Sequence, residues 1–297
     1  MQSEALIFRF PGRIGVPIRW FLCSDLHLGH VACDLKRIKR EFARAVELDA
    51  NILINGDVFD AVTTGDKRYA PGQVVREISE AKDAYTATIQ YAAELLMPYR
   101  EHIRVIGIGN HETAWIKYRQ SDPVRGLIDL LNVGRNHDTP IKHGGISGYV
   151  TTFIDLPASG KTKGHSFRHR LLYHHGTGGD SPVTQGTIDM NRKAVRFGYD
   201  CYTFGHKHNQ LIMNDVFVDC NAAGKIVYKE RISIQTGSYF RNMLPTGQKN
   251  PLDFTYAEES QHSAKPMGGK FLLLTPHHNS RHEFRIQQDS HSALMPV

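Results

Sequence analysis

Five short motifs rich in Asp, His and Asn occur in order along this 297-residue chain, and each follows an apolar run. The motifs are Asp25-Leu26-His27, Gly56-Asp57-Val58-Phe59-Asp60, Gly109-Asn110-His111-Glu112, His174-His175-Gly176 and Gly205-His206-Lys207-His208. Carboxylates, imidazoles and amides bind metals, and mixed His and carboxylate sets suit Mn, Fe, Zn, Ni or Co better than Mg or Ca. Gathered in one place, these side chains would form a two-metal centre.

The charges of such a centre favour phosphoester chemistry. Two divalent cations bring +4 and the carboxylates of Asp25 and Asp57 bring −2, so that +2 remains when the other ligands are neutral. A positive site attracts a phosphate ester, and a metal-bound water ionises near pH ~7 rather than ~15.7. The residues therefore predict hydrolysis of a phosphoester.

The apolar runs before the motifs predict the elements that position them. We expect buried β-strands at 18–23, 51–54, 103–108, 171–173 and 201–204. Side chains that directly follow such strands lie at one edge of a sheet, where open α/β sheets hold their sites. Two Asp, one Asn and five His from these motifs should therefore converge.

The chain between and after the motifs alternates as an α/β protein does. We expect helices at 34–48, 73–96, 113–131 with a break near Asp122-Pro123, and 184–197. Further strands are expected at 145–155, 166–173, 210–213, 216–220 and 231–236. We interpret the late histidines as a solvent-facing tail, and these are His277, His278, His282 and His291. No repeat or linker divides the chain, which predicts a single domain over 1–297, with a motif core at 24–208 and C-terminal strands and a tail at 209–297.

The ordered patterns D-x-H, G-D-x-x-D, G-N-H-E, H-G and G-H-x-H resemble those of the calcineurin-like metallophosphoesterase superfamily. The resemblance spans residues 24–208. It implies a four-layer α/β/β/α sandwich with two packed mixed sheets and a dinuclear metal site at the strand ends. It also implies two divalent transition-metal ions, of which manganese is favoured and Fe, Zn, Ni or Co are alternatives.

The resemblance further implies a role for each motif residue. The first metal would be bound by Asp25, His27 and His208, and the second by Asn110, His175 and His206, with Asp57 bridging the two. His111 would face the leaving oxygen as a general acid or hydrogen-bond donor, and Asp60 would orient it and keep it protonated. His174 would point to the other face of its strand, because neighbouring side chains alternate.

The motifs leave the substrate open, because many chemistries share such a core. Protein phosphatases of the superfamily carry Arg after G-D-x-x-D and a short spacer to G-N-H, whereas here Ala61 follows Asp60 and the spacer is long. The first two motifs are closer to repair nucleases of DNA double-strand breaks and to lipid pyrophosphohydrolases that cleave UDP-diacylglucosamine. Residues 234–239 are loosely similar to phage-encoded members.

Three function classes follow. The leading hypothesis is a phosphodiesterase acting on nucleic acid, either DNA or RNA, or on nucleotides. The alternative is a phosphomonoesterase or pyrophosphohydrolase of a small or lipid-linked substrate, although the polar insertion at 61–72 argues mildly against lipid. A scaffold that only binds is disfavoured, because all the proposed ligands and His111 are present.

The net charge of +6 favours a nucleic-acid substrate, because basic proteins gain affinity for phosphate backbones by counterion release. One basic cluster lies on the first predicted helix and comprises Lys36, Arg37, Lys39 and Arg40. A second leads to His175 and comprises Lys161, Lys163, Arg168 and Arg170. A merely solvated face is an equal alternative for the helix cluster, which also carries Asp34 and Glu41.

The sequence also predicts a cytoplasmic protein. No apolar run approaches the ~20 residues that cross a bilayer, and the N-terminus lacks a basic start and an apolar signal core. Cys23 and Cys201 fall inside predicted strands, which favours buried thiols over disulfides. We therefore expect no membrane insertion. A homodimer is a separate expectation, made by analogy with repair nucleases.

Overall fold

The computed structural model describes residues 4–60, 71–158, 164–179, 181, 183–221, 223–241, 265–278 and 284–292. In these ranges the strands are β1 Leu6–Pro11, β2 Ile18–Cys23, β3 Asn51–Ile54, β4 Ile103–Gly107, β5 Lys142–Gly145, β6 Ser147–Leu156, β7 His165–His174, β8 Cys201–Phe204, β9 Leu211–Cys220, β10 Ile226–Gln235, β11 Lys270–His278 and β12 Phe284–Ser292. The α-helices are α1 Leu35–Glu47, α2 Arg76–Ser79, α3 Ala84–Leu96, α4 Asn110–Arg119, α5 Pro123–Asn132 and α6 Thr187–Ala194.

The strands form two mixed six-stranded sheets. The first has the order β1-β6-β7-β8-β10-β9, with β7, β8 and β10 parallel to one another and β9 antiparallel at the edge. The second has the order β12-β11-β2-β3-β4-β5, with β2 to β5 parallel and β11 antiparallel to β2. Within each sheet, the strands that precede the motifs therefore run parallel to one another.

Three apolar clusters define four layers. Between the sheets, Trp20 and Leu22 pack with side chains of the first sheet, and the Trp20 indole Nε1 donates to Thr152 Oγ1 at 3.1 Å. Phe42 of α1, with residues of α3 and α5, covers the outer face of the second sheet. Met190 of α6 covers the first sheet. The predicted α/β/β/α sandwich is confirmed.

Capping side chains set the helix boundaries. The Asp34 carboxylate accepts from Arg37 N at 3.1 Å, so α1 begins where the sequence predicts. Asp122 accepts from Val124 N and Arg125 N, and Pro123 occupies the first turn of α5. The predicted break between α4 and α5 is therefore confirmed.

The single helix predicted at 73–96 is wrong. The structure has a 3₁₀ turn at Pro71–Gln73, then the short α2, then α3. The break occurs because the Asp83 carboxylate accepts from Tyr85 N and Thr86 N and so starts a new helix. Apolar periodicity alone did not reveal this internal cap.

The predicted C-terminal tail is also wrong within the described residues. Residues 270–278 form β11, which lies between β12 and β2 and buries Phe271, Leu272 and Leu274. His277 and His278 lie in β11 and His291 lies in β12. The strands predicted separately at 210–213 and 216–220 form the single strand β9.

Several other expectations can be compared with the structure. Cys23 and Cys201 are buried free thiols, as predicted. No helix in the described part of the chain combines the length and the apolar character needed to cross a membrane. Residues 61–70 of the insertion lie outside the described residues, as do Lys161, Lys163 and His282.

Candidate metal centre

The loops that carry the five motifs meet at one edge of the two sheets. Asp25 N donates to Gly56 O at 3.0 Å, which joins the loops after β2 and β3. Gly205 N donates to His175 O at 2.8 Å, which joins the loops after β8 and β7. The expectation that sheet topology gathers these residues is met.

Five of the proposed ligand residues have left-handed backbone conformations. Positive φ values occur at Asp25 (54°), His27 (49°), Asp57 (46°), His206 (69°) and His208 (53°). Non-glycine residues seldom adopt this region, and each instance costs on the order of 1–3 kcal/mol unless the surroundings impose it. Such a concentration of unfavourable backbone is typical of a functional site.

The first ligand group brings together Asp25, His27 and His208, whose ligand atoms lie within 4.8 Å of one another. His27 Nε2 lies 3.3 Å from His208 Nε2, and His208 Nε2 lies 3.4 Å from Asp25 Oδ1. That Asp25 oxygen is buried and has no hydrogen-bond partner among the described residues. The other oxygen, Oδ2, accepts from Ser24 Oγ and from His206 N at 2.9 Å.

The second ligand group brings together Asp57, His175 and His206. His175 Nε2 lies 3.1 Å from both Asp57 Oδ2 and Asn110 Oδ1. The opposite ring nitrogen, Nδ1, lies 2.9 Å from the carbonyl of Asn55, to which it donates. A ring held in this way directs its other nitrogen at a metal, as metal-binding histidines commonly do.

The two groups therefore place acceptor atoms against acceptor atoms. A buried carboxylate oxygen, an amide oxygen and unprotonated imidazole nitrogens repel one another unless a proton or a cation lies between them. The chemistry of the donor set thus fits two divalent ions. His174 belongs to neither group, and its Nδ1 accepts from Gly176 N at 2.8 Å.

The pKa values of the proposed ligands reflect the same need for positive charge between the acceptor atoms. Burial lowers the pKa of the His175 imidazole, but the charge of Asp57 raises it to about 10. Burial raises the pKa of the Asp57 carboxyl, but His175 and His111 hold it well below its ordinary value. Burial also lowers the pKa of His27, which keeps that imidazole neutral and able to bind a metal. The raised pKa of His175 thus reflects the negative charge of the carboxylates that a cation would balance.

A third set of atoms places His111 beside the ligands. His27, Asp57 and His111 also lie within 4.8 Å of one another, and His111 N donates to Asp57 Oδ1 at 3.0 Å. The His111 ring packs edge-on against His27, with centroids 4.8 Å apart. The geometry alone would permit His111 to bind a metal as well as to face a substrate.

The position of Asp60 differs from the sequence hypothesis. Its carboxylate Oδ1 lies 3.3 Å from His27 Nδ1 but 4.0 Å from His111 Nδ1. The His111 Nδ1 instead donates to the main-chain carbonyl of Asp60. The side chain of Asp60 therefore orients a proposed ligand, and its backbone orients His111. Sequence patterns cannot separate a side-chain contact from a main-chain one.

Glu112 is a buried residue that the sequence interpretation left without a role. Its carboxylate accepts from three main-chain N–H groups, Asp57 N and Phe59 N at 3.0 Å and Gly109 N at 2.7 Å. Burial and the nearby Asp57 raise the pKa of Glu112 to about 7. Its place at the third position of α4 is a capping-box signal that could have identified it.

Two motif glycines permit the close approach of these loops. A Cβ atom at Gly56, whose φ is +83°, would lie 2.6 Å from Gly109 N. A Cβ atom at Gly109 would collide with the Asp57 carboxylate. Glycine is therefore required at both places for Asp57 to reach the second ligand group.

Comparison of the sequence with known protein families gives one match. The model of the calcineurin-like phosphoesterase family matches residues 18–210. No protein with a curated description matches the sequence.

The solved structures to which this chain is similar include three of low sequence identity. The first is GAP50, described as the anchor in the inner membrane complex of Plasmodium, with 11% sequence identity. The match covers 94% of this chain and 85% of that chain, with a TM-score of 0.43. Chaetomium thermophilum Vps29 has 9% identity, with 94% and 98% covered and a TM-score of 0.31. A predicted phosphoesterase from Streptococcus pneumoniae has 10% identity, with 93% and 99% covered and a TM-score of 0.30.

Proposed function

The chain belongs to the calcineurin-like phosphoesterase family, and we propose that it is a dinuclear phosphodiesterase whose substrate is a nucleic acid or a nucleotide. Family membership makes it a metal-dependent phosphoester hydrolase. One observation carries the proposal, namely that the acceptor atoms of the two ligand groups converge from both sheets with His111 beside them. Two bound divalent ions would supply charge stabilisation of the phosphoryl group and a water of lowered pKa.

Different residues of the chain would bind the metals and contact the leaving oxygen of that phosphoryl group. Asp57 shares one set of ligand atoms with His175 and His206 and another with His27, a proposed ligand of the first metal, which supports its role as the bridge. His111 donates through Nδ1 to the Asp60 carbonyl, which fixes the orientation of its ring beside the ligand groups, where it would contact the leaving oxygen. The His111 and His208 side chains retain 12% and 23% of their exposure, so a substrate would approach from their side.

The distribution of positive charge supports a nucleic-acid substrate. Lys36, Lys39 and Arg40 are exposed on α1, which begins close after the first motif. Two other members of the predicted clusters are engaged elsewhere, since Arg37 pairs with Glu41 at 3.0 Å and Arg170 with Asp200 at 3.0 Å. Among the described residues, the helix cluster therefore keeps more exposed charges than the cluster that leads to His175, of which Arg168 is exposed, although the sequence placed that second cluster better.

Three finer points stay predictions. Manganese is the favoured native metal, with Fe, Zn, Ni or Co as alternatives that the mixed imidazole, carboxylate and amide ligand set also suits. Metal analysis of protein purified without added metal would test it. A homodimer is proposed by analogy with repair nucleases, and sedimentation measures it. A cytoplasmic location is proposed because buried thiols suit a reducing compartment, and cell fractionation measures it.

The proposed activity is tested with two chromogenic esters in the presence of manganese. We expect bis-p-nitrophenyl phosphate to be hydrolysed in preference to p-nitrophenyl phosphate, with activity greatly reduced in the His111→Asn variant. His137→Asn is the matched control, because His137 is exposed and remote from the motifs in sequence. Preference for the monoester would contradict the phosphodiesterase and favour a small-molecule phosphatase.

A further inference from the structure

One aromatic side chain stands beside the first ligand group and has no part in the proposed mechanism. The ring of Phe240 lies 5.3 Å from the His27 ring, 6.2 Å from the His208 ring and 4.7 Å from the His30 ring, measured between centroids. Phe240 is only partly buried. An apolar ring thus keeps some exposure within reach of two proposed metal ligands.

The backbone around Phe240 is tied to the loop that carries the first motif. Phe240 N donates to Ser238 Oγ at 2.8 Å, and Ser238 Oγ donates to Asp25 O at 3.1 Å. On the other side, Arg241 N donates to Ala32 O at 3.0 Å. These hydrogen bonds therefore fix the position of the Phe240 backbone relative to the loop that carries the proposed ligand Asp25.

His30 packs against the same ring and has a fixed orientation of its own. Its Nδ1 accepts from Ala32 N at 2.9 Å, and the Gln73 side chain also hydrogen-bonds to its imidazole. His30 is 8% exposed. These hydrogen bonds fix the orientation of His30. We therefore interpret His30 as a residue that packs against Phe240 and not as a further metal ligand.

We propose that Phe240 forms the wall of a subsite that binds a planar aromatic group of the substrate, a nucleobase, beside the scissile phosphate. The inference rests on the proposed function, because it assumes that the phosphate lies at the two ligand groups. Stacking of a base on an aromatic side chain is tolerant of base identity, since every base presents a π-face. A subsite of this kind selects nucleotides over simple phosphate esters without reading sequence.

A second role for Phe240 would be to pack against His27 and His208 and hold them for the metal. That role predicts a different result, because weaker packing would reduce metal affinity and affect all substrates alike. Stacking instead affects only ligands that carry a base. The two roles are therefore separable by ligands that differ in the base alone.

The test uses the full chain loaded with manganese and two ligands, AMP and ribose 5-phosphate, in calorimetric titrations. We expect the wild type to bind AMP about tenfold more tightly than ribose 5-phosphate. Phe240→Leu should abolish that difference with unchanged metal content, and Phe240→Trp should retain it. Phe197→Leu is the control, because Phe197 is 38% exposed and lies outside the ligand groups.

Equal affinity of the wild type for the two ligands, or no binding of either at millimolar concentration, would overturn the proposal. So would a Phe240→Leu variant that loses metal or weakens both ligands equally. Hydrolysis of bis-p-nitrophenyl phosphate by the same preparation separates the two hypotheses. Activity without AMP preference contradicts the subsite alone, whereas AMP preference without activity contradicts the phosphodiesterase alone.

Discussion

Glu112 shows how single residues hold the proposed metal centre in place. Its buried carboxylate collects the N–H groups of Asp57, Phe59 and Gly109, so that one side chain joins the loop after β3 to the start of α4. Carboxylates that accept several main-chain donors form strong, oriented hydrogen bonds. The position of the Asp57 side chain therefore depends on Glu112, although Glu112 is not among the proposed ligands.

Replacing this carboxylate tests that dependence. Glu112→Gln would turn an amide NH₂ group towards a main-chain donor, so we expect a loss of unfolding free energy of about 1–3 kcal/mol. Urea unfolding of the metal-free protein measures the loss, and a manganese titration should show weaker binding. Glu47→Gln is the control, because the Glu47 side chain is 66% exposed. Unchanged stability and metal affinity would contradict this account of Glu112.

His111 is the residue for which ligand and catalytic roles must be separated. Because it lies near His27 and Asp57 but is proposed to act on the leaving oxygen, His111→Asn should retain both metals. Turnover of the diester should fall by about 10²–10⁴-fold, the usual contribution of a general acid. Metal analysis beside steady-state kinetics distinguishes the roles. Loss of metal in this variant would make His111 a ligand.

At the scale of elements, Glu41 joins α1 to the C-terminal part of the second sheet. It is 1% exposed and accepts from Tyr239 Oη at 2.6 Å and from Gly269 N at 3.0 Å. The same Tyr239 donates its main-chain N–H to Asp25 O at 2.9 Å. The helix, the start of β11 and the first motif loop are thereby fixed relative to one another.

Removing the Tyr239 hydroxyl should weaken this junction. Tyr239→Phe leaves a buried carboxylate with one donor fewer, which we expect to cost about 1–3 kcal/mol of unfolding free energy. Chemical denaturation measures it, with Tyr228→Phe as the matched control because Tyr228 is 74% exposed. Equal stability of the two variants would show that the hydroxyl contributes nothing to the junction.

The elements also show where sequence interpretation succeeds. Local signals are sufficient for α1, because Asp34 caps it and its apolar positions repeat on one face. They fail between α2 and α3, where the cap Asp83 lies within an apparently continuous helical pattern. They fail again at β11, since its pairing with β2 joins segments that are far apart in the chain.

For the whole molecule, the family resemblance of the motifs was enough to predict the architecture, and the strands before the motifs were enough to predict the gathering of the site. Buried runs followed by polar residues identify sheet edges without any knowledge of strand order. The strand order itself was not predictable, because it depends on long-range pairing such as β1 with β6. Phe240 was missed for the same reason, since only the fold brings it to His27.

The charge of the molecule leads to a prediction about nucleic-acid binding. If Lys36, Lys39 and Arg40 bind phosphates, their joint replacement by alanine should reduce the slope of log K against log salt by about one for each phosphate that is no longer neutralised. Fluorescence anisotropy with a labelled oligonucleotide measures the slope. Replacement of the exposed Lys82, Lys117 and Arg119 is the control. An unchanged slope in the α1 variant would exclude this helix from the binding surface.

The central claim is that two metals share Asp57, and metal content per chain tests it most directly. After manganese loading and gel filtration, we expect two ions per wild-type chain. In Asp57→Asn both should be lost together, with no hydrolysis of bis-p-nitrophenyl phosphate, because the carboxylate belongs to more than one set of ligand atoms. An Asp57→Asn protein that retains two metals and activity would contradict the account.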